Sequence, residues 1–599
     1  MIHQSVLGAL ADYYDRRLAE KVPLGFERKE IPFVIVLDKR GRFVGLDDLR
    51  KIDGKKKSAP TFLVPQGAKR ASGIRANILW DNPGYLFGRP KPDPKKDAVK
   101  EAIRALKLRD ATLARFTKEF SDPSFDEGIS AVSVFLQADD FTALYDHPSW
   151  REVEETGANL SFRLNSDACL ISERPVVFEA LKGVLGGRDM VDEDDERTEV
   201  KGEEICLVTG KTGPIAILHP AIKNIWGGQT SGSNIVSFNL PAFCSIGKGQ
   251  GANAPVGKRA VFAYTTALNH LLAKGSKHRF QVGDASTVFW AERDHEVESW
   301  MADLFGKADG EPVSEDTTTV TGVFAAPRHG TSTPSSEDLT PFYVLGLSPN
   351  AARAAVRIWH PGTVGEVVRN IEAHFADTTI VHGSKDTDRL PLFRLLSSTA
   401  LQGKSENIPP NVAGDTMKSI LEGTTYPWTL LAAAIRRVRA ERSVPYARAS
   451  VIKAVLGRKA RLKNPSEKEV GMALDESNLN TGYRLGRLFA VLERAQSLAS
   501  PGINATIRDR FYGGASSTPV AVFPHLMKLK NHHLAKLENV GARVNLEKMI
   551  GTILDGVFDF PAHLDLADQG RFAIGYYHQA QEFFRKKTND EPTAKETAE

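Results

Sequence analysis

Apolar residues recur along this chain with two different periods. In VLGALADYYDRRL, Val6, Leu10, Tyr13 and Tyr14 fall on one side of a helix with Leu18 beside them. PFVIVLDKRGRFVGLDDLR then predicts a β-hairpin, with strands at Ile35–Leu37 and Phe43–Leu46. Its turn is Asp38-Lys39-Arg40-Gly41, where Gly41 is free to take positive φ. TFLVP is a further strand ending at Pro65. A polar, basic loop with aromatics comes next, then the turn-rich RPKPDPKKDA and a helix in EAIRALKLRDATLARFTKEF. Residues 205–264 read as strand and loop, including a strand at Ile235-Val236-Ser237-Phe238, and from Tyr264 the pattern turns helical. FYVLGLSPNAARAAVRIWH predicts a strand, a turn at Ser348-Pro349-Asn350 and a continuation of the apolar alternation.

From about residue 365 the period is almost entirely helical. Leu431, Ala434, Ile435 and Val438 form one stripe; Leu485, Leu488, Phe489 and Leu492 a second; Leu546, Ile550, Ile553 and Val557 a third. Ala573, Tyr576, Tyr577, Ala580 and Phe584 form a fourth, with Asp568 as its expected N-cap and Arg585-Lys586-Lys587 suited to the C-terminal dipole. The fold class expected is α+β: a large mixed α/β part over 1–364, a C-terminal helical bundle over 365–587 and a disordered tail at 588–599. The acidic run Asp192 to Glu196 reads as a solvated loop and residues 307–338 as a long flexible connection.

Composition narrows the class. At 599 residues the chain is too long for one core, and 41% hydrophobic with 25% charged residues is ordinary for a globular protein. No apolar run reaches membrane-spanning length, and the N-terminal stretch lacks the pattern of a signal peptide. Cys169, Cys206 and Cys244 are odd in number and far apart, which fits a reducing, cytoplasmic setting without disulfides. The net charge of +4 predicts no partner by itself.

Familiar chemical motifs are absent. TGKTG at Thr209 to Gly213 has Ile205 where a phosphate-binding loop needs glycine, and the residues after Lys211 read as strand through Ile215 to Leu218. Cys206 has no second cysteine at zinc spacing, and adjacent His532-His533 on a helix do not share a metal well. Asp139-Asp140 lacks a partner motif for two-metal nuclease chemistry. No catalytic residue, cofactor or metal is expected.

Three regions combine cations with backbone freedom. The first holds Lys69, Arg70, Ser72, Arg75 and Asn77, interleaved with Trp80, Asn82 and Tyr85, a mixture suited to phosphate contact and base stacking. In the second, Lys223 and Asn224 precede Gly227, Gly228, Gln229, Thr230, Ser231, Ser233 and Asn234; Lys248, Gln250, Asn253, Lys258 and Arg259 come after. Glycines let backbone lie against a groove floor, and neutral amides read the minor groove or wedge beside a base step. The third, Thr429 to Lys463, carries Arg436, Arg437, Arg439, Arg442, Arg448, Lys453, Arg458, Lys459, Arg461 and Lys463 against Glu441, with the arginines expected to face out toward a polyanion.

The segments FVIVLD, FLVP with KRASGIRANILWDN, CLVTG with PIAILHPAIKNIWGGQTSGSNIVSFN, NAPVGKRAVFAYTTALNHLL, FYVLGLSPNAARAAVRIW, LNTGYRLGRLFAVLERAQ and GYYHQAQEFF resemble, in order, the large subunit of the type I-C CRISPR surveillance complex, Cascade. The resemblance implies a non-enzymatic subunit that recognises the protospacer-adjacent motif in duplex DNA, assists strand separation and R-loop formation, and helps recruit the helicase-nuclease in antiviral defence. Implied partners are CRISPR RNA, duplex target DNA and its displaced strand, the handle-binding, backbone and small subunits, and no membrane. By role, the Lys69 to Asn77 and Gly227 to Asn239 loops are candidates for motif reading. The arginine-rich helices, with Lys528 and Lys530, are candidates for the displaced strand. A nucleic-acid-dependent nucleotide hydrolase using TGKTG and a stand-alone single-strand binding protein are the alternatives.

In type I-C systems the small subunit resembles the C-terminal part of the large one, and Met472 stands where an internal start would free that part. Expression of the intact gene is therefore expected to give a second, smaller product that disappears when Met472 is replaced. Its persistence in the variant, seen by immunoblot of a C-terminal tag, would count against this start.

Overall fold

The computed structural model describes residues 5–53, 56–68, 70, 73–93, 97–138, 140–187, 204–238, 240–305, 337–384, 386–464 and 469–584. Lys69, Ser72, Asp139, Asn239, the Asp192 to Glu196 run, residues 307–336, Arg585-Lys586-Lys587 and the tail lie outside them. The architecture is α+β, with mixed sheets and a helical C-terminal region. Compactness divides the chain otherwise than at 364/365. One unit comprises Leu7–Pro220 with Val236–Leu268, and the other Ala221–Ile235 with Asn269–Glu599 and Met1–Val6.

In the first unit, strand Phe33–Leu37 pairs antiparallel with Phe43–Asp48 and parallel with Leu160–Leu164, which pairs in turn with Trp80–Asp81. The central strand is buried on both faces, which explains why FVIVL is an unbroken apolar run. Phe33, Ile35 and Leu37 pack with Ile129, Phe135 and Phe162, while Val34 packs with Ile31, Val64 and Trp80. The hairpin turn forms as expected, with Gly41 at φ 78. A Cβ there would lie 2.7 Å from the Ala131 carbonyl oxygen, so the position requires glycine for space as well as conformation.

Residues 204–257 contain little regular structure. Thr212–Gly213 forms a two-residue strand with Glu204–Ile205, and no helix succeeds Lys211. Cys206 Sγ accepts backbone N–H bonds from Gly257 at 3.1 Å and Thr209 at 3.4 Å, so it ties both ends of this stretch together. The strand expected at Ile235–Phe238 is absent, since no partner strand is present among the described residues to share a ladder; pairing nearby is confined to isolated bridges at Ser233 and Asn234.

In the second unit, Arg279–Val282, Ala285–Ala291, Pro341–Asn350 and Arg353–Thr363 form an antiparallel meander. The turn sits later than expected. Ser348, Pro349 and Asn350 pair with Ala355, Ala354 and Arg353, and the reversal falls on Ala351-Ala352, with Ala351 at φ 52. One sheet face (Phe280, Phe289, Phe342, Val344 and Ile358) shares a single core with the helices beyond it, from Val364 to Tyr577. That shared core is why 364/365 is no seam. A Thr363/Glu366 capping box opens helix Val364–Thr378.

The helical stripes are buried as the period requires, except at their ends: Val557 lies beyond helix Val540–Leu554 and is half-buried, Ala580 is half-buried and Phe584 is exposed. The cap of helix Leu566–Glu582 lies three residues before the expected one. Asp565 caps it by accepting the Asp568 N–H at 2.7 Å, and Asp568 instead bonds Asn480 and Arg571. This helix crosses Thr481–Ala499 at two glycines. A Cβ on Gly486 would lie 2.0 Å from the Phe572 carbonyl oxygen, and one on Gly575 2.1 Å from that of Tyr483. Gly486→Ala is expected to destabilise by about 3 kcal/mol or more. Gly457→Ala, whose Cβ meets nothing within 4 Å, is expected to stabilise by up to about 1 kcal/mol. Denaturant melts of the two variants check this, and equal stabilities would contradict the crossing.

Candidate nucleic-acid interface

The glycine loop is a closed structure in the second unit. Ile222 and Ser233 exchange both backbone hydrogen bonds, at 2.8 and 2.9 Å, and close residues 223–232 into a ring. Below the closure, Asn234 donates to the Ala352 carbonyl and accepts from the Ala354 N–H, each at 2.9 Å, which clamps the loop to the tip of the long hairpin. Side chains hold its flanks. Asn269 Oδ1 accepts the Lys223 N–H at 2.8 Å, and Ser286 Oγ accepts the Trp226 N–H at 2.7 Å.

Two glycines serve the loop itself. Gly232, at φ 98, leaves no room for a Cβ, which would lie 2.8 Å from the Ile222 carbonyl oxygen; Gly228 donates to Ile225 at 3.0 Å. Gly227, at φ 71, remains exposed at the tip. Lys223, Asn224, Gln229, Thr230 and Ser231 are exposed beside it, whereas Asn234 is half-buried below the closure. Ser233 is interior at 1% exposure, because the loop closure is made through its backbone, and this corrects its place in the expected contact surface.

Trp226 was not among the expected contacts. It is 45% exposed on a pinned backbone, immediately before the tip. A tryptophan ahead of paired glycines, in IWGGQ, was the available signal: apolar residues at a polar loop tip are either buried or used in contacts.

The remainder of the second candidate region belongs to the other compact unit. There Asn253 works as a staple. Its Oδ1 accepts the Ser245 N–H at 2.8 Å, and its Nδ2 donates to the carbonyls of Lys248 at 3.0 Å and Gln250 at 2.9 Å. Lys248 is thereby held exposed, while Gln250 is half-buried at φ 41. Lys258 is half-buried, and Arg259 is exposed and bridges Asp15 at 2.8 Å.

The Lys69 to Asn77 loop, in that same unit, is organised around a buried carboxylate. Asp81 is fully buried and burial raises its pKa, against the pull of Arg70. Arg70 pairs with Asp81, donates to the Arg75 carbonyl at 2.8 Å and lies 3.6 Å above the Tyr85 ring. Asn77 is interior, taking the Ala68 N–H on its Oδ1 at 2.9 Å. Arg75 is half-buried. The expected phosphate and base contacts of Arg70 and Asn77 therefore compete with bonds these side chains already make.

The arginine-rich region divides into two sets. Arg436, Arg439 and Arg442 are exposed at the end of helix Trp428–Glu441, and Arg437 is half-buried, 3.8 Å from Glu441. Lys459 lies 3.9 Å over the ring of Trp428, also partly exposed. The expectation that the cations face out fails for Arg448, Lys453 and Arg458, because helix Tyr446–Lys463 is packed on several sides and its interior face is polar. Lys453 donates to the carbonyls of Asp377 at 2.9 Å and Ala376 at 3.3 Å, at the end of helix Val364–Thr378. Arg458 bonds the buried Asp377 carboxylate at 2.5 Å and stacks 4.1 Å from the Tyr426 ring; Arg461 shares the same carboxylate. Lys528 is exposed and Lys530 half-buried on a separate helix, Pro519–Ala535. Among the described residues, no group of His, Cys, Asp and Glu could hold a metal ion, and no helix is long and apolar enough to cross a membrane.

Against known families, the profile described as CRISPR-associated protein (Cas_Csd1) matches residues 10–584. No curated protein matches.

The polar interior predicts a pH response. His374, 2.6 Å from the Tyr426 hydroxyl, is pushed down to about 3 by burial, with Arg458 adding to the effect. His578, 2.9 Å from the Tyr483 hydroxyl, is pushed down to about 4 by burial, with Lys453 adding. Below the usual 6.5 the unfolded chain binds protons that these folded histidines refuse, so stability falls as pH drops toward 4. Replacing both with Gln is expected to remove up to about 1.4 kcal/mol per pH unit per histidine from that slope. Urea melts at pH 7 and 5 measure it, and identical slopes would contradict the assignment.

Proposed function

We propose, from the premise that this chain belongs to the CRISPR-associated Cas_Csd1 family, that it is the non-catalytic large subunit of a type I-C surveillance complex. It recognises the protospacer-adjacent motif in duplex DNA, assists strand opening and helps recruit the helicase-nuclease. The observation that carries this reading is the closed loop 223–232. It offers an exposed tryptophan and a run of neutral hydrogen-bonding groups on a backbone fixed at both ends. Such a tip reads groove edges and stacks on bases, whereas a phosphate site would concentrate charge.

Apart from Lys223 at the loop's base, the candidate cations are Arg436, Arg439, Arg442 and Lys459, with Lys528 on its own helix. We assign these to the displaced strand, since exposed cations, with Lys459 over the partly exposed ring of Trp428, suit a backbone-tracking path with a stacking platform. Guide RNA, the handle-binding subunit and the backbone subunits complete the assembly in this reading. A small-subunit product begun at Met472 would lack the helices Trp428–Glu441 and Tyr446–Lys463 that pack against helix Leu566–Glu582. Gly570, which meets Leu431, Ile452 and Leu456, marks the face left uncovered. Such a product would need another chain over that face.

Trp226→Ala with Gln229→Ala, in the assembled complex, is expected to weaken motif-bearing duplex about 10-fold or more, from the loss of about 1–3 kcal/mol of stacking. Binding of a single-stranded target should stay unchanged. Alanine at Arg436 and Arg439 should instead lower the salt slope by about 0.7–0.9 for each phosphate no longer neutralised, with motif preference intact. Filter binding across a salt series separates the two effects; equal losses on duplex and single strand for the loop variant would sink its motif role.

A further inference from the structure

The first compact unit has a projecting loop of its own, Leu240 to Asn253, and every residue from Leu240 to Gly249 is exposed. Apolar side chains recur in it every three residues: Leu240, Phe243 and Ile246 are 50%, 38% and 94% exposed. The loop is built all the same. Phe243 and Cys244 donate to the Leu240 and Pro241 carbonyls at 2.9 and 3.0 Å, and Lys248 donates to that of Ser245 at 2.9 Å. The Asn253 amide ties Ser245, Lys248 and Gln250 together. At the foot, a Cβ on Gly251 would lie 2.3 Å from the Ala216 carbonyl oxygen, so the loop's base is pressed against that backbone. Ile246 has φ 52, a left-handed conformation that β-branched residues avoid, and Gly247 follows at φ 69. Strain that holds an isoleucine out in water gains nothing from packing and points to use. The surrounding charge is one-sided: residues 205–283 contain eight Lys and Arg and no Asp or Glu, in a chain with 74 acids over 599 residues.

We propose that this tip inserts Ile246 at a base step of paired target DNA, from the minor groove, and kinks the duplex there, with Lys248 on an adjoining phosphate. Leu, Ile, Phe and Pro are the side chains that wedge between base steps, and a wedge must be held rigidly to repay the unstacking it causes. The hydrogen bonds at the foot of the loop supply that rigidity. The absence of carboxylates selects a polyanion over a protein surface, which would carry charges of both signs. The residue at the tip selects duplex over single strand, since single strands are held on aromatic platforms whereas an aliphatic wedge needs a stacked step to enter. The inference rests on the reading of this chain as a duplex-binding subunit. It adds to that reading a deformation of DNA that stays paired, made by a loop other than 223–232.

The experiment uses the complex assembled with the other proteins and guide RNA of its CRISPR locus. Its probe is a motif-bearing duplex whose target does not match the guide, so that it stays paired, with a donor and an acceptor dye at its two ends. The complex is expected to raise energy transfer between the dyes, as a kink brings the ends together. Ile246→Gly removes the wedge and relieves the left-handed strain, so the variant chain's melting temperature should hold or rise. Energy transfer should fall to that of straight duplex and affinity should fall about 10-fold. Ile246→Leu should keep both. With p-benzoylphenylalanine in place of Ile246, irradiation should join the chain to a paired nucleotide, and a duplex pre-kinked by a bulge at that step should restore binding of the Ile246→Gly complex. Cross-links to guide RNA, to another protein, to a second copy, to added phospholipid vesicles or to nothing would overturn the proposal, as would equal bending by the Ile246→Gly complex. Duplex bound but left straight by the unaltered complex sinks this inference alone; failure to bind motif-bearing duplex at all sinks the DNA reading with it.

Discussion

Asp377 is the constraint around which the second compact unit is arranged. A buried carboxylate must be paired, and this one is met by Arg458 from the interior and Arg461 from the rim. Lys453 caps the carbonyls of the same helix end, and Tyr426 covers the Arg458 guanidinium. The result fixes helix Val364–Thr378 against helix Tyr446–Lys463 at one register. It also sorts the cations: Asp377 and the helix end consume Lys453, Arg458 and Arg461, Glu441 and the Ser398 carbonyl hold the buried Arg448, and Arg436, Arg439, Arg442 and Lys459 remain on the surface. Removing the carboxylate alone would leave Arg458 buried without its charge partner, a far costlier state than an exposed pair broken in water.

The same unit holds the glycine loop, and it uses main-chain bonds where the bundle uses charge. The Ile222–Ser233 closure and the Asn234 clamp make the tip a rigid projection of the hairpin. A pre-ordered tip sacrifices little conformational entropy on binding, so neutral groups that each contribute modestly can still discriminate between sequences. Gly232 and Gly228 serve that rigidity, and Gly227 alone of the three retains the open backbone that a groove-reading role requires.

Much of this was legible in the residues. The hairpin at Gly41, the long hairpin near Ala351 and the helical stripes arise from period and turn chemistry, while the family was legible only through the resemblance of whole segments. The features that escaped have identifiable physical causes. Lys453 and Arg458 read as surface because a cation's partner, here Asp377 some 80 positions earlier in the chain, leaves no mark at short range. Ile235–Phe238 had strand composition and no strand to pair with. Asp568 was displaced as a cap by Asp565, an equally good acceptor one turn before it. Trp226 escaped because an aromatic in a loop reads as core until its exposure is known. The domain seam was misplaced because a change of period at 364 marks a change of element, while the core runs on through it.

In the proposed role, this polypeptide meets duplex DNA by a clamped, uncharged tip and meets the displaced strand by exposed cations on helices at a distance in the chain. The most direct measurement is electron cryo-microscopy of the assembled complex on motif-bearing duplex DNA. Residues 226–231 are expected in the minor groove of the motif, with Trp226 against a base step and Arg436 and Arg439 along the displaced strand. A map with that tip in solvent or buried in another subunit, and the motif touched elsewhere, would contradict it.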